Sequence, residues 1–167
     1  MNEQLNEQSA SEENELQLVI FTIDEHEFAL GISLVREIIH LSRISVLPDM
    51  PASMVGVINV RGIVLPIVDL RTRFGMARAE DIDEGAQKVL IVEIGASVIG
   101  CLVDTVSEVL QVPRQTLKDS SEISGLNSEL VRAICNLDER LIPVIDVDKV
   151  LSGKELVQLA EAVREGA

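Results

Sequence analysis

The chain has 167 residues, 47% of them apolar and only 2% aromatic, with 14 Lys and Arg against 28 Asp and Glu for a net charge of −14. That length suits one domain or two fused halves with a true core. The charge has the wrong sign for gripping phosphates or an anionic membrane, and three Phe without Trp or Tyr leave too few rings to stack bases. Two cysteines make no disulfide scaffold, no apolar run is long enough to span a membrane, and no signal peptide precedes the first strand, so the expected location is cytoplasmic.

Residues 1–15, MNEQLNEQSASEENE, contain five Glu and no basic residue, and predict a disordered acidic tail. From Leu16 the pattern changes to short Val- and Ile-rich runs: LQLVIFTI, EFALGI, VGVINV and IVLPIVDL. After a polar linker at about 78–87 come KVLIVEIG, SVIGCLVD, VRAICNL and LIPVIDV. Eight short strands with little helix between them predict an all-β protein. From Ser152 the pattern turns helical. Ser152 and Glu155 form a capping box, and Leu156, Leu159, Ala160 and Val163 make one apolar stripe of a C-terminal helix over 152–167.

The strands form a repeat. Sliding the chain by 71 residues lays Leu18–Ile23 on Val89–Ile94, Val35 on Val106 and Glu37 on Glu108. Sliding it by 77 lays Gly56–Leu70 on Ala133–Val147, with Asn59 on Asn136, Pro66 on Pro143 and Asp69 on Asp146. The two slides differ by 77 − 71 = 6 residues, which places an insertion in the second half within residues 111–130. The expectation is two similar small barrels in tandem, a first half at about 16–77 and a second at about 88–151. The run IVLPIV does not alternate, so both of its faces should be buried. Pro66 and Pro143 cannot donate to a ladder and predict an edge strand or a bulge, while Gly62 supplies the positive φ of a hairpin tip at Arg61-Gly62.

Little of this is catalytic. GASVIG, residues 95–100, lacks the G-x-S-x-G spacing of a nucleophile elbow. Asp69 and Asp146 end equivalent strands before short helical stretches, which makes them N-caps rather than paired acid–base carboxylates. His26 and His40 have no ligand spacing, Cys101 and Cys135 align with Leu30 and Ile58 as core residues, and no phosphate loop or dinucleotide fingerprint occurs. The expectation is a non-enzyme with no cofactor and no metal. Glu37 and Arg61 flank strongly apolar strands, and an exposed pair adds little to stability, so recognition explains their placement better.

The segments GVINVRGIVLPIVDLRTRF, FALGISLVREI and VIGCLVDTVSEVL resemble the CheW coupling proteins of bacterial chemotaxis, with the likeness running from about Leu16 to Leu151. Val60 departs conservatively from the Leu usual there. The resemblance implies two five-stranded SH3-like barrels around a shared core and a non-catalytic adaptor. Its partners would be methyl-accepting chemoreceptors and the regulatory domain of the histidine kinase CheA, in arrays beneath the membrane, without membrane insertion or nucleic acid. The receptor-binding positions carried over are Val35, Glu37, Gly56, Arg61 and Val109; no kinase-contact residue can be carried over. The alternatives are a small-ligand barrel or barrel enzyme using Asp69 and His26, and an adaptor of another CheA-like pathway.

Overall fold

The structure is a computed structural model and describes residues 14–76, 86–119, 129–152 and 154–155. Most of the acidic tail, most of the linker and most of the C-terminal helix therefore lie outside the described residues. Eleven strands are described: β1 (Glu15–Ile23), β2 (His26–Gly31), β3 (Val35–His40), β4 (Met54–Val60), β5 (Ile63–Asp69), β6 (Lys88–Ile94), β7 (Ser97–Val103), β8 (Thr105–Pro113), β9 (Leu117–Asp119), β10 (Val131–Leu137) and β11 (Arg140–Ile145). One short helix, α1 (Leu70–Arg73), follows β5.

The strands form two sheets. Sheet I has the order β8-β1-β2-β11-β10-β9 and sheet II the order β3-β6-β7-β5-β4. The halves of the chain are therefore not the sheets. The β1–β2 hairpin of the first half lies in sheet I with the strands of the second, and the β6–β7 hairpin lies in sheet II with the strands of the first. The repeat nonetheless holds to the residue. Phe21 opposite Val106 repeats Val35 opposite Val92, and the parallel pair Val144–Ala29 repeats Ile67–Gly100. Sliding one copy onto the other shows which residues are equivalent, not which copy they pair with, so the exchange leaves no mark on the sequence.

Three apolar clusters explain the composition. Sheet I encloses one around Leu18, Ile20, Cys135 and Ile142, and sheet II another around Ile58, Leu65, Ile67 and Leu102. The third, including Val19, Phe21, Leu30, Leu90, Val92 and Cys101, lies between the sheets. The two exchanged hairpins thus have core on both faces, which is why LVIF and VLIV do not alternate. All three Phe of the chain meet in the shared core, Phe28 stacking on Phe21 at 6.0 Å and on Phe74 at 4.8 Å. Face-offset rings at such distances add to the area they bury.

For Pro66 and Pro143 the edge-strand alternative fails, because β5 and β11 are interior strands of their sheets. The bulge alternative holds close by: the partner strand slips register just beyond each proline, between Met54 and Gly56 and between Val131 and Ala133. Each proline sits immediately before its strand's parallel pairing begins, at Ile67 and Val144. Val57, opposite Pro66, exchanges both backbone hydrogen bonds with Ser45, at 2.7 and 2.8 Å, on its other side. The Pro66 nitrogen therefore points to the flank that has no ladder yet, and the missing donor costs nothing.

Strands β3, β8 and β9 are absent from the eight runs read in the sequence. In β3 and β8 the pairing register slips, between Val35 and Glu37 and between Val106 and Glu108. A bulge inserts one extra residue and breaks the alternation by which such a strand is recognised. Strand β9 lies within the segment 111–130 that holds the insertion, and it pairs Lys118 with Ile134, the place that Ser45 opposite Val57 takes in sheet II.

Asp69 Oδ1 accepts from Arg71 N at 3.0 Å and Asp146 Oδ1 from Asp148 N at 3.2 Å, so each carboxylate satisfies an amide that its helical turn leaves open. At the C-terminal end, Ser152 N donates to Glu155 and Glu155 N to Ser152 Oγ, both at 3.1 Å. Glu155 also accepts from Ser53 Oγ at 3.0 Å and pairs with Arg73 at 3.3 Å, which ties residue 155 to the start of β4 and to α1.

Candidate functional site

The β4–β5 hairpin turns through two residues, Arg61 at φ 51° and Gly62 at φ 84°. Two consecutive positive φ values are the signature of the turn whose twist matches a right-handed ladder. Asn59 Oδ1 accepts from Gly62 N at 2.9 Å and holds the tip. Arg61 consequently leans toward β3, where Nη1 and Nη2 donate to Glu37 Oε1 and Oε2 at 2.9 and 2.5 Å. This two-pronged pairing fixes orientation as well as charge. Hydrogen bonds from Arg61, aided by its charge, hold the Glu37 carboxyl below the usual range, and the same bonds raise the Arg61 guanidinium. The pair faces water, with side-chain exposures of 70% for Arg61 and 37% for Glu37.

The bulge in β3 makes this geometry possible. Val35 lies opposite Val92, whose side chain enters the shared core, and Glu37 opposite Ile91, which turns to the other face. Without the extra residue, positions 35 and 37 would share one face. Val35 accordingly packs at the margin of the shared core, while Glu37 looks across a groove of about 330 Å³. Arg61 and Glu37 rim that groove, and Val60, Ile63, Leu65 and Val98 supply apolar wall. Ile63 is 69% exposed, an unusual place for a large aliphatic side chain without a use.

The five receptor positions carried over from the family resemblance thus fall in three places. Arg61 and Glu37 come together. Val35 and Val109 lie along the faces turned to the shared core, Val109 opposite Val19 on β1 and half-exposed. Gly56 is buried and keeps no surface open. A Cβ there would stand 2.5 Å from Ile44 Cγ2 and from Ser45 O, so glycine is required for the 44–45 segment to cross β4. Asp69 is buried and used as a cap, whereas His26 is exposed at the start of β2. Among the described residues no cluster of three His, Cys, Asp or Glu could hold a metal ion.

The same place in sheet I is built differently. Glu108 is the counterpart of Glu37, but Ile63 is replaced by Arg140 and Val98 by Glu27. Arg140 Nη2 donates to Glu27 at 2.7 Å and to Glu108 at 3.1 Å, filling with charge the space that the first copy leaves apolar. The apolar walls of the groove were not singled out in the sequence. Their signal was present, since aligned copies of a repeat that differ at Ile63/Arg140 and Val98/Glu27 mark where one copy has departed from shared structural need.

A second charged cluster was also missed. Arg71 on α1 has a side chain only 6% exposed and donates to Asp104 at 2.6 and 2.7 Å and to Asp24 at 3.0 Å. Gln87 and the Asp24 amide also donate to Asp104. Burial alone would raise the Asp104 carboxyl, but the Arg71, Asp24 and Gln87 hydrogen bonds and the Arg71 charge outweigh it and hold it low. This knot joins the β1–β2 turn of sheet I to α1 and the end of β7. Its counterparts in the other copy, Asp148, Ser33 and Gly95, could not form it.

Comparison with known proteins agrees with this fold. The family model described as the CheW-like domain matches residues 17–155. A probable chemotaxis protein CheW of Rhizobium etli is 40% identical over 141 residues, which span 83% of this chain and 89% of that protein. The chemotaxis protein CheW of Klebsiella aerogenes is 30% identical, covering 84% of each chain. The crystal structure of the scaffolding protein TtCheW from Thermoanaerobacter tengcongensis superposes with a TM-score of 0.74 at 26% identity, covering 84% of this chain and 94% of that one.

Proposed function

The chain belongs to the CheW-like domain family and is a chemotaxis coupling adaptor, and on that premise we propose which surface does the coupling. A chemoreceptor's cytoplasmic helical tip docks along the groove beneath Arg61 and Glu37. Its apolar side chains lie against Ile63 and Val98, and the two-pronged ion pair fixes its direction. Val35 and Val109 extend the contact along the margins of the shared core. The regulatory domain of CheA takes a separate face, so that receptor and kinase are held together by one small protein. No step of chemistry is required of it. The adaptor works in the cytoplasm and is drawn to membrane-associated arrays by its partners. No helix among the described residues is long and apolar enough to cross a membrane.

The observation that carries this reading is the open groove itself, at a place where the equivalent copy is closed by Arg140 and its two glutamates. Several modest interfaces suit such a role, since multivalent linkage makes an array tight while each contact stays breakable. Co-sedimentation of the purified protein with soluble receptor tips and with CheA tests it: both partners should be retained together. Failure to bind either partner would leave the small-ligand alternative standing.

A further inference from the structure

The strongest feature not used by the groove lies at the mouth of sheet I. A cavity of about 380 Å³ opens there, floored by Leu16, Leu18, Leu117, Ala133 and Val144. Among the described residues, Arg114 and Arg132 stand at its rim together with one acid, Asp119. Counted over the described residues, this rim carries more positive than negative charge above an apolar floor, in a chain whose net charge is −14. We propose that this cavity is an intramolecular docking site whose occupant is the acidic segment 1–13 of the same chain.

Three observations choose that occupant. The first is position: Arg114 N donates to the carbonyl of Asn14 at 2.8 Å, so the chain enters the described structure at the rim. Leu16, two residues later, is already part of the floor. The second is charge. Residues 1–13 contain Glu3, Glu7, Glu12 and Glu13 and no Lys or Arg, which complements Arg114 and Arg132. The third is a side chain for the floor. Leu5 lies nine residues before Asn14, and about 30 Å of extended chain can lie between them, more than enough to fold back over the cavity. A segment too polar to build a core of its own can still be ordered by a pocket that the domain supplies.

A spin label tests this on the full chain. Cys101 and Cys135 are 1% and 0% exposed, so a nitroxide on Ser9→Cys reacts at the new thiol alone. If the segment docks, the amides of Leu117, Ala133 and Val144 lose most of their peak intensity, while those of Ile63 and Val98 on sheet II keep theirs. The Arg114→Glu/Arg132→Glu double variant should restore the lost intensity. So should about 1 M salt, where the Debye length falls to about 3 Å. Equal broadening of the two sheets, or broadening that ignores charge reversal, overturns the proposal. So does broadening at the cavity from a label on Val163→Cys but not from one on Ser9→Cys, which would make the C-terminal segment the occupant.

Discussion

Two ends of this molecule share one frame. At one, Glu37 meets Arg61 beside the exposed Ile63; at the other, its counterpart Glu108 meets Arg140, which also holds Glu27. The strand pairings, the bulges and even the asparagine before the hairpin tip repeat. The frame therefore tolerates either solution, and neither is needed for the fold. An arginine that fills the space with ion pairs makes a closed, self-satisfied surface. An aliphatic pair with the arginine moved to the hairpin tip makes an apolar groove with a charged lip, which asks for a partner. A further difference runs the other way: Asp24 and Asp104 form a knot around the buried Arg71 at one end only, and the burial of Arg71 makes it structural.

The largest effect should come from that knot. Arg71→Ala leaves Asp104 without its counter-charge, with only Gln87 and the Asp24 amide still donating to it. It should lower unfolding free energy by about 3 kcal/mol, the low end for breaking a buried pair, because Asp24 stays half-exposed. Asp148→Ala, at the equivalent place, should change little, and a urea titration of both variants measures the contrast. Gly56→Ala should come next, at about 1–3 kcal/mol, since a Cβ pressed against Ser45 overpacks the sheet. Its loss should weaken every partner alike, as a damaged fold does.

A smaller effect on stability, but a sharp one on binding, is expected when one end is rewritten as the other. Ile63→Arg with Val98→Glu should build the Arg140–Glu27 pair into the groove and close it. The thermal midpoint should hardly move, while receptor-fragment affinity falls by at least about tenfold in an isotherm, as for a filled apolar pocket with an added unmatched charge.

The smallest effect is one of pH. Unfolded Asp104 titrates near about 3.9 and folded Asp104 lower, so its contribution is complete above the unfolded value and is lost as pH falls through the folded one. Asp104→Asn should therefore flatten the decline in stability below about pH 4 and leave the slope at neutral pH unchanged.

These contrasts also show what the sequence could reveal. Apolar runs, the two proline-bearing strands and the capping carboxylates were readable because each depends on near neighbours. The pairing of Arg61 with Glu37 was readable as a possibility, since both charges stand beside apolar strands. The exchange of hairpins was not, because equivalent residues would pair identically in either arrangement. Strands β3 and β8 were hidden by their bulges. Gly56 was assigned to a surface because only coordinates place Ile44 and Ser45 across it. Arg71 passed unnoticed for a similar reason, as its partners lie 47 and 33 residues away.

On the proposed coupling surface, Arg61 and its groove recognise the receptor, while Arg140 of the other copy does not. Arg61→Ala and Arg140→Ala should be compared in one set of binding isotherms, each variant titrated with a receptor fragment and with CheA. Arg61→Ala should lower receptor affinity by at least about thirtyfold, the low end for truncating one partner of a charge pair desolvated on binding, with CheA affinity nearly unchanged. Arg140→Ala should leave receptor affinity as it is. Equal receptor binding by the wild type and Arg61→Ala, or a larger loss from Arg140→Ala, would contradict the account.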